Sequence, residues 1–113
     1  MDETLIHCVD DINADDPDIV IPIYFDGDTE PVHAGVNLRP YLYECLEEAN
    51  KYFQVIVFTA SHKTYADAIL DAIDPNNKYF QHRLYREHCV HTKEGYYIKD
   101  LRVLRNRSLE DIV

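Results

Sequence analysis

The sequence predicts an α/β fold built on a parallel sheet. Three observations carry that expectation. The apolar run FQVIVF, residues 53 to 58, stands between two stretches of helical periodicity. Such a run suits a strand buried on both faces. Ahead of it, Leu42, Cys45, Leu46 and Ala49 recur at i, i+3, i+4 and i+7, and behind it Ala66, Ile69, Leu70 and Ile73 share one helical face. HRLYR then reads as a further strand, so helix, strand, helix and strand alternate.

The remaining elements follow in chain order. VDDINADDPD, with Pro17 inside it, reads as a loop. IVIPIYF, residues 19 to 25, is β-branched and aromatic and reads as a strand, with Pro22 marking it as an edge. DGDT is a turn signal and PVHAGVN a return strand, which predicts a β-hairpin over about residues 19–37. Arg39-Pro40 opens the first helix, with proline at the first helical position. DPNN at 74 to 77 stops the second helix. CVHT and YYIK form a small hairpin around Lys93-Glu94-Gly95, LRVLRN reads as a short helical turn, and DIV at the end reads as the start of a strand.

A chain of 113 residues is at most one domain. Its net charge of -10 is unevenly spread: residues 1 to 38 hold ten acids and no Lys or Arg, and the rest balances at eleven of each sign. That distribution argues against non-specific binding of nucleic acid, whose phosphates need a basic surface. Cys8, Cys45 and Cys89 are odd in number and fit neither a zinc site nor a disulfide framework, so they read as buried free thiols in a reducing compartment. The six histidines are scattered without metal-ligand spacing. No apolar run approaches the ~18 residues of a membrane span.

In a parallel sheet, chemistry sits beyond the carboxyl ends of the strands. Candidate groups near such ends are the acids at 2 and 3, Thr59 after FQVIVF, and Lys99 after YYI. Singly, Asp2 reads as a terminal acid, Thr59 as a helix N-cap and Lys99 as a surface charge. Together, DETLIH, LRPYLYECL, VIVFTAS, the YAD of Tyr65 to Asp67, RLYREHCV and YYIKDL occur in order. This series resembles the phosphatase domain of the FCP/SCP-type family, also called NLI-interacting-factor-like phosphatases, over nearly the whole chain. The resemblance implies a haloacid-dehalogenase-like (Rossmann-like) fold, with the hairpin as an insertion.

The resemblance also implies a chemistry. The family's first motif is Asp-x-Asp-x-Thr. Here Asp2 matches its second Asp and Thr4 its Thr, so the first Asp, the nucleophile, falls one residue before Met1. In the family that carboxylate forms an aspartyl-phosphate, with Mg²⁺ neutralising charge. Asp2 would be the general acid and base, and its backbone carbonyl a metal ligand. Thr59 and Lys99 would stabilise the phosphate. Arg86 and Tyr65 would bind substrate, although Tyr65 reads equally as a core residue of its helix. The Asp-Asn pair that completes the family's metal site would follow Val113. The expectation is therefore an incomplete domain over residues 1–113. It lacks the first central strand and the C-terminal part, is inactive alone, and does not hold Mg²⁺ tightly.

The implied substrate is a protein carrying phosphoserine or phosphothreonine, such as the RNA polymerase II C-terminal tail. The implied location is nuclear or cytoplasmic, with the nuclear-envelope or mitochondrial membrane as alternatives. The other reading is a non-catalytic relative used for binding, either a phosphopeptide-binding remnant or a subunit like the mitochondrial import receptor of this family.

Overall fold

A computed structural model describes all of residues 1–113. The chain forms seven strands and two α-helices: β1 (Ile6–Cys8), β2 (Ile19–Ile23), β3 (Val32–Leu38), α1 (Leu42–Ala49), β4 (Ile56–Phe58), α2 (Lys63–Ile73), β5 (His82–Leu84), β6 (Val90–His91) and β7 (Tyr97–Ile98). Strands β4 and β5 pair in parallel, Val57 opposite Arg83. The crossover between them is α2, since parallel neighbours cannot be joined by a short turn. A second sheet is antiparallel in the order β1-β3-β2, and β6 with β7 makes the small hairpin.

The core lies between α2 and the antiparallel sheet. Ala66, Ile69, Leu70 and Ile73 are the buried residues of α2, the four that share one face in the sequence. They meet Ile21 and Ile23 of β2, Ala34 and Val36 of β3, Leu42 and Leu46 of α1, and Val57 of β4 in a single apolar cluster. Strand β2 buries Ile21 and Ile23 and turns Val20 and Pro22 outward. Pro22 is tolerated because β2 is an edge strand, bonded only to β3.

Gly35 shows how tightly the acidic loop is laid on this sheet. A Cβ there would lie 2.6 Å from Val9 Cγ2, 2.7 Å from Ile12 Cγ2 and 3.0 Å from Pro17 Cγ. All three belong to stiff side chains of the 9–17 segment. Gly35→Ala is expected to push that segment off β3 and destabilise the chain by about 1–3 kcal/mol. A thermal melt checks it, and an unchanged midpoint would mean the loop yields without cost.

Several expectations need correction. Pro40 lies outside α1. Tyr41, with φ 64°, turns the chain in a left-handed conformation before the helix begins at Leu42. Strand β4 is shorter than FQVIVF and only Val57 in it is buried. Its one hydrogen-bonded partner is β5, and the face carrying Ile56 and Phe58 is only half-buried. Ile56 and Phe58 line a groove of about 570 Å³ with Phe53, Val55, Leu84 and Leu104. Residues 109–111 form a 3-10 turn, not the start of a strand. None of the three thiols is buried: Cys45 is exposed on α1, where only Leu42 and Leu46 face the core, and Cys8 and Cys89 are half-buried. LIHC, not read as a strand, supplies β1. With only three residues its periodicity is silent, and its pairing with β3 defines it.

Candidate active site

The carboxyl end of β4 and the first turn of the chain meet. The Thr59 N–H donates to Leu84 O at 2.9 Å, extending the parallel pairing by one residue. This holds the Thr59 side chain in place, and the residue is only 2% exposed. Two residues on, the period that returns a side chain to the same side of an extended strand, stands Ser61. Met1 is buried, and its carbonyl accepts the N–H groups of Thr4 and Leu5 at 3.2 and 2.8 Å. Glu3 is left-handed in that turn, with φ 57°, and the turn presents Asp2 to the strand end.

Three hydroxyls face the Asp2 carboxylate. Tyr65, in the first turn of α2, donates to Oδ1 at 2.9 Å. Ser61 donates to Oδ2 at 2.7 Å, and Thr59 Oγ1 stands a long 3.4 Å from the same oxygen. Burial pushes the Tyr65 phenol well above its ordinary value, and the bond to Asp2 and that residue's charge add to the rise. Tyr65 is therefore a neutral donor throughout the working pH range. A partly buried carboxylate oriented in this way can give a proton to a neighbouring oxygen or take one from water.

Arg86 adjoins this group through the backbone. Its N–H donates to Ser61 O at 3.1 Å. Its Nε donates to Ala60 O at 2.7 Å, and its Nη1 lies 2.8 Å from His62 Nε2. A guanidinium has only donors, so the histidine nitrogen accepts. The guanidinium lies over the Tyr97 ring, 4.8 Å from its centroid, and His91 stacks on Tyr97 at 4.6 Å and 8°. The strand leading to Arg86 is fastened to α2 by Asp67, which accepts from Tyr85 Oη at 2.6 Å, from Arg83 at 2.9 Å and from Lys63. Burial alone would raise the Asp67 carboxyl, but these donors outweigh it and hold it below its usual range.

Asp2 is thus in reach of both Thr59 and Tyr65, and Arg86 joins the group through its backbone bond to Ser61. No hydrogen bond ties Lys99 to this group. Lys99 is exposed after β7, and its charge adds to the lowering of the Met1 amino group, which burial chiefly causes and Asp2 opposes. No three His, Cys, Asp or Glu side chains come together in a way that could hold a metal ion. No helix is long and apolar enough to cross a membrane.

Sequence reasoning did not assign roles to Ser61, His62 or Tyr97. For Ser61 a signal was present, since it stands two residues after Thr59 at a strand end. The contacts of His62 and Tyr97 with Arg86 join separate loops, and no local pattern reports them.

A parallel pair crossed by a helix, with an acid and hydroxyls at the strand's carboxyl end, defines a Rossmann-like α/β unit with its polar site where such folds place their chemistry. The fold is similar to that of a variant of fission yeast RNA polymerase II CTD phosphatase Fcp1 bound to beryllium fluoride. The TM-score is 0.74 at 20% identity, covering 96% of this chain and 33% of that one. The model of the NLI interacting factor-like phosphatases matches residues 1–113, and the chain belongs to that family. It is 42% identical over 113 residues to CTD small phosphatase-like protein 2 of Dictyostelium discoideum, covering 100% of this chain and 19% of the relative. With CTD small phosphatase-like protein 3 of Caenorhabditis elegans the identity is 43% over 104 residues, 92% of this chain and 35% of the relative. With CTD nuclear envelope phosphatase 1B of Danio rerio it is 34% over 113 residues, 94% of this chain and 45% of the relative. The chain thus spans less than half the length of these relatives.

Proposed function

We propose that the natural protein carrying this chain is a phosphatase of phosphoserine or phosphothreonine proteins that works through an aspartyl-phosphate. The observation that supports this best is the Asp2 carboxylate held between Tyr65 and Ser61 beside Thr59. In this reading Asp2 protonates the leaving oxygen and later takes a proton from the attacking water. Thr59 donates to a phosphoryl oxygen. Arg86 and Tyr65 line the approach of the substrate, and Arg86 keeps donors beyond the two it uses on Ala60 and His62. Lys99, whose charge is felt at the Met1 amino group, offers a positive charge for the transferred phosphoryl group.

The nucleophilic carboxylate belongs, on this reading, to the residue that precedes Met1 in the natural protein. The further ligands of the Mg²⁺ that the family resemblance implies also lie outside residues 1–113. On this reading the 113 residues alone do not release phosphate from a phosphopeptide. A protein tail such as that of RNA polymerase II is a suitable substrate, and a nuclear or cytoplasmic setting suits three free thiols.

The test is phosphate release from a phosphoserine peptide with Mg²⁺ present, using the natural protein and the 113-residue chain in parallel. Release by the first and none by the second is expected. Peptide binding without release by both would replace this reading with that of a binding protein.

A further inference from the structure

Ser61 holds no place in the chemistry just described, yet the parts of the site are tied to it. Its hydroxyl donates to Asp2 Oδ2 at 2.7 Å, the shortest bond that carboxylate accepts. Its N–H donates to Thr59 Oγ1 at 3.1 Å. Its carbonyl accepts the N–H of Arg86 at 3.1 Å. The hydroxyl is not engaged in capping α2, whose N-cap, His62, makes no side-chain capping bond. Asp2 is the one group it bonds.

The arrangement resolves a competition between neighbours. Thr59 has a single hydroxyl proton. If Asp2 Oδ2 had no other donor so close, that proton would be drawn to it across the 3.4 Å gap. With Ser61 supplying a proton to Oδ2, and its N–H occupying a lone pair on Thr59 Oγ1, the Thr59 proton can turn to another acceptor. A hydroxyl both donates and accepts, so Ser61 can also keep hold of Asp2 when that carboxyl carries its proton.

We propose that Ser61 is a positioning residue. Its hydroxyl aims the Asp2 carboxyl at the leaving oxygen and leaves the Thr59 proton for the phosphoryl group. The proposal rests on the phosphatase reading for its consequence and on the geometry alone for the contact. As the bond from phosphorus to the leaving oxygen breaks and the bond to the nucleophilic carboxylate forms, the Asp2 proton passes to the leaving oxygen. A serine alkoxide needs that proton, whereas p-nitrophenolate leaves readily without it.

The experiment compares Ser61→Ala and Ser61→Thr with the unaltered natural protein, reading kcat/KM, which covers the steps up to departure of the leaving group. Ser61→Ala keeps both backbone bonds. It is expected to lower kcat/KM for a phosphoserine peptide about tenfold and that for p-nitrophenyl phosphate much less, with Ser61→Thr recovering most of the loss. An equal loss on both substrates, or none on either, overturns the proposal. If the unaltered protein hydrolyses neither substrate, the phosphatase reading has failed, and the Asp2 carboxyl ¹³C resonance of the natural protein decides the contact separately. It should move in Ser61→Ala and return in Ser61→Thr, and an unmoved resonance overturns the positioning role. If the amide spectrum shows Ser61→Ala unfolded, Ser61→Cys, whose thiol is a weaker donor, takes its place under the same outcomes.

Discussion

Asp2→Asn in the natural protein is expected to lower kcat/KM for a phosphoserine peptide by about 10²–10⁴-fold, the usual weight of a positioned general acid or base. The substitution isolates proton transfer from architecture. Asparagine keeps one side-chain oxygen, so one of the hydroxyls of Tyr65 and Ser61 retains its acceptor. The other meets an amide group, to which its own oxygen can accept. The buried neighbours Met1, Ile6 and Thr59 are untouched. The melting midpoint should therefore move little while turnover collapses. Steady-state kinetics beside a thermal melt measures both. Activity within threefold of the unaltered protein would remove Asp2 from the chemistry and leave its hydroxyl ring as a structural tie between the first turn and β4.

The largest expected effect on stability lies elsewhere. Asp74, which ends α2, is 2% exposed. Its Oδ1 accepts the N–H of Lys78 at 2.7 Å, and its Oδ2 accepts those of Tyr79 and Phe80 at 3.0 and 3.2 Å. These bonds turn the chain from α2 back to β5. Phe80 is buried just before that strand, and Gln81 then bonds Val55 ahead of β4. Asp74→Ala leaves three N–H groups without an acceptor at the edge of the core. Each such loss costs about 1–3 kcal/mol, and the losses do not add fully. A destabilisation of about 3–4 kcal/mol is expected, large against the ~5–15 kcal/mol that holds a typical domain. Asp74→Asn, which retains one acceptor oxygen, should cost about half as much. Urea unfolding of the three chains would show it. A loss under about 1 kcal/mol for the alanine variant would mean that water replaces the carboxylate.

Much of this molecule is legible from local pattern. The α2 face of Ala66, Ile69, Leu70 and Ile73 is buried as its spacing requires, because a helix can hide only one stripe. Pro22 lies on an edge strand, because it has no N–H for a second partner. The order of DETLIH, VIVFTAS and YYIKDL carries the family, which the family model and the relatives establish for all 113 residues. The hydroxyl and carboxylate types needed for phosphate chemistry were also visible as residues near strand ends.

The tertiary structure decided which of those residues meet. Asp2 and Tyr65 are 63 positions apart, and Asp2 and Ser61 are 59 apart. Their bonds exist only because the first turn packs on the end of β4 and α2 returns beside it. Strand β1 is likewise defined by its partner β3, since three residues are too few to show a period. Tyr41 ends the proline segment in a left-handed turn that residue preference does not predict. Ser61 became the centre of the site, joining Asp2, Thr59 and Arg86. Sequence by itself determined the periodic faces, the family and the kinds of chemical group available. Only the fold brought them within hydrogen-bond distance, because periodicity acts over a few residues whereas a site is made by contacts across the whole chain.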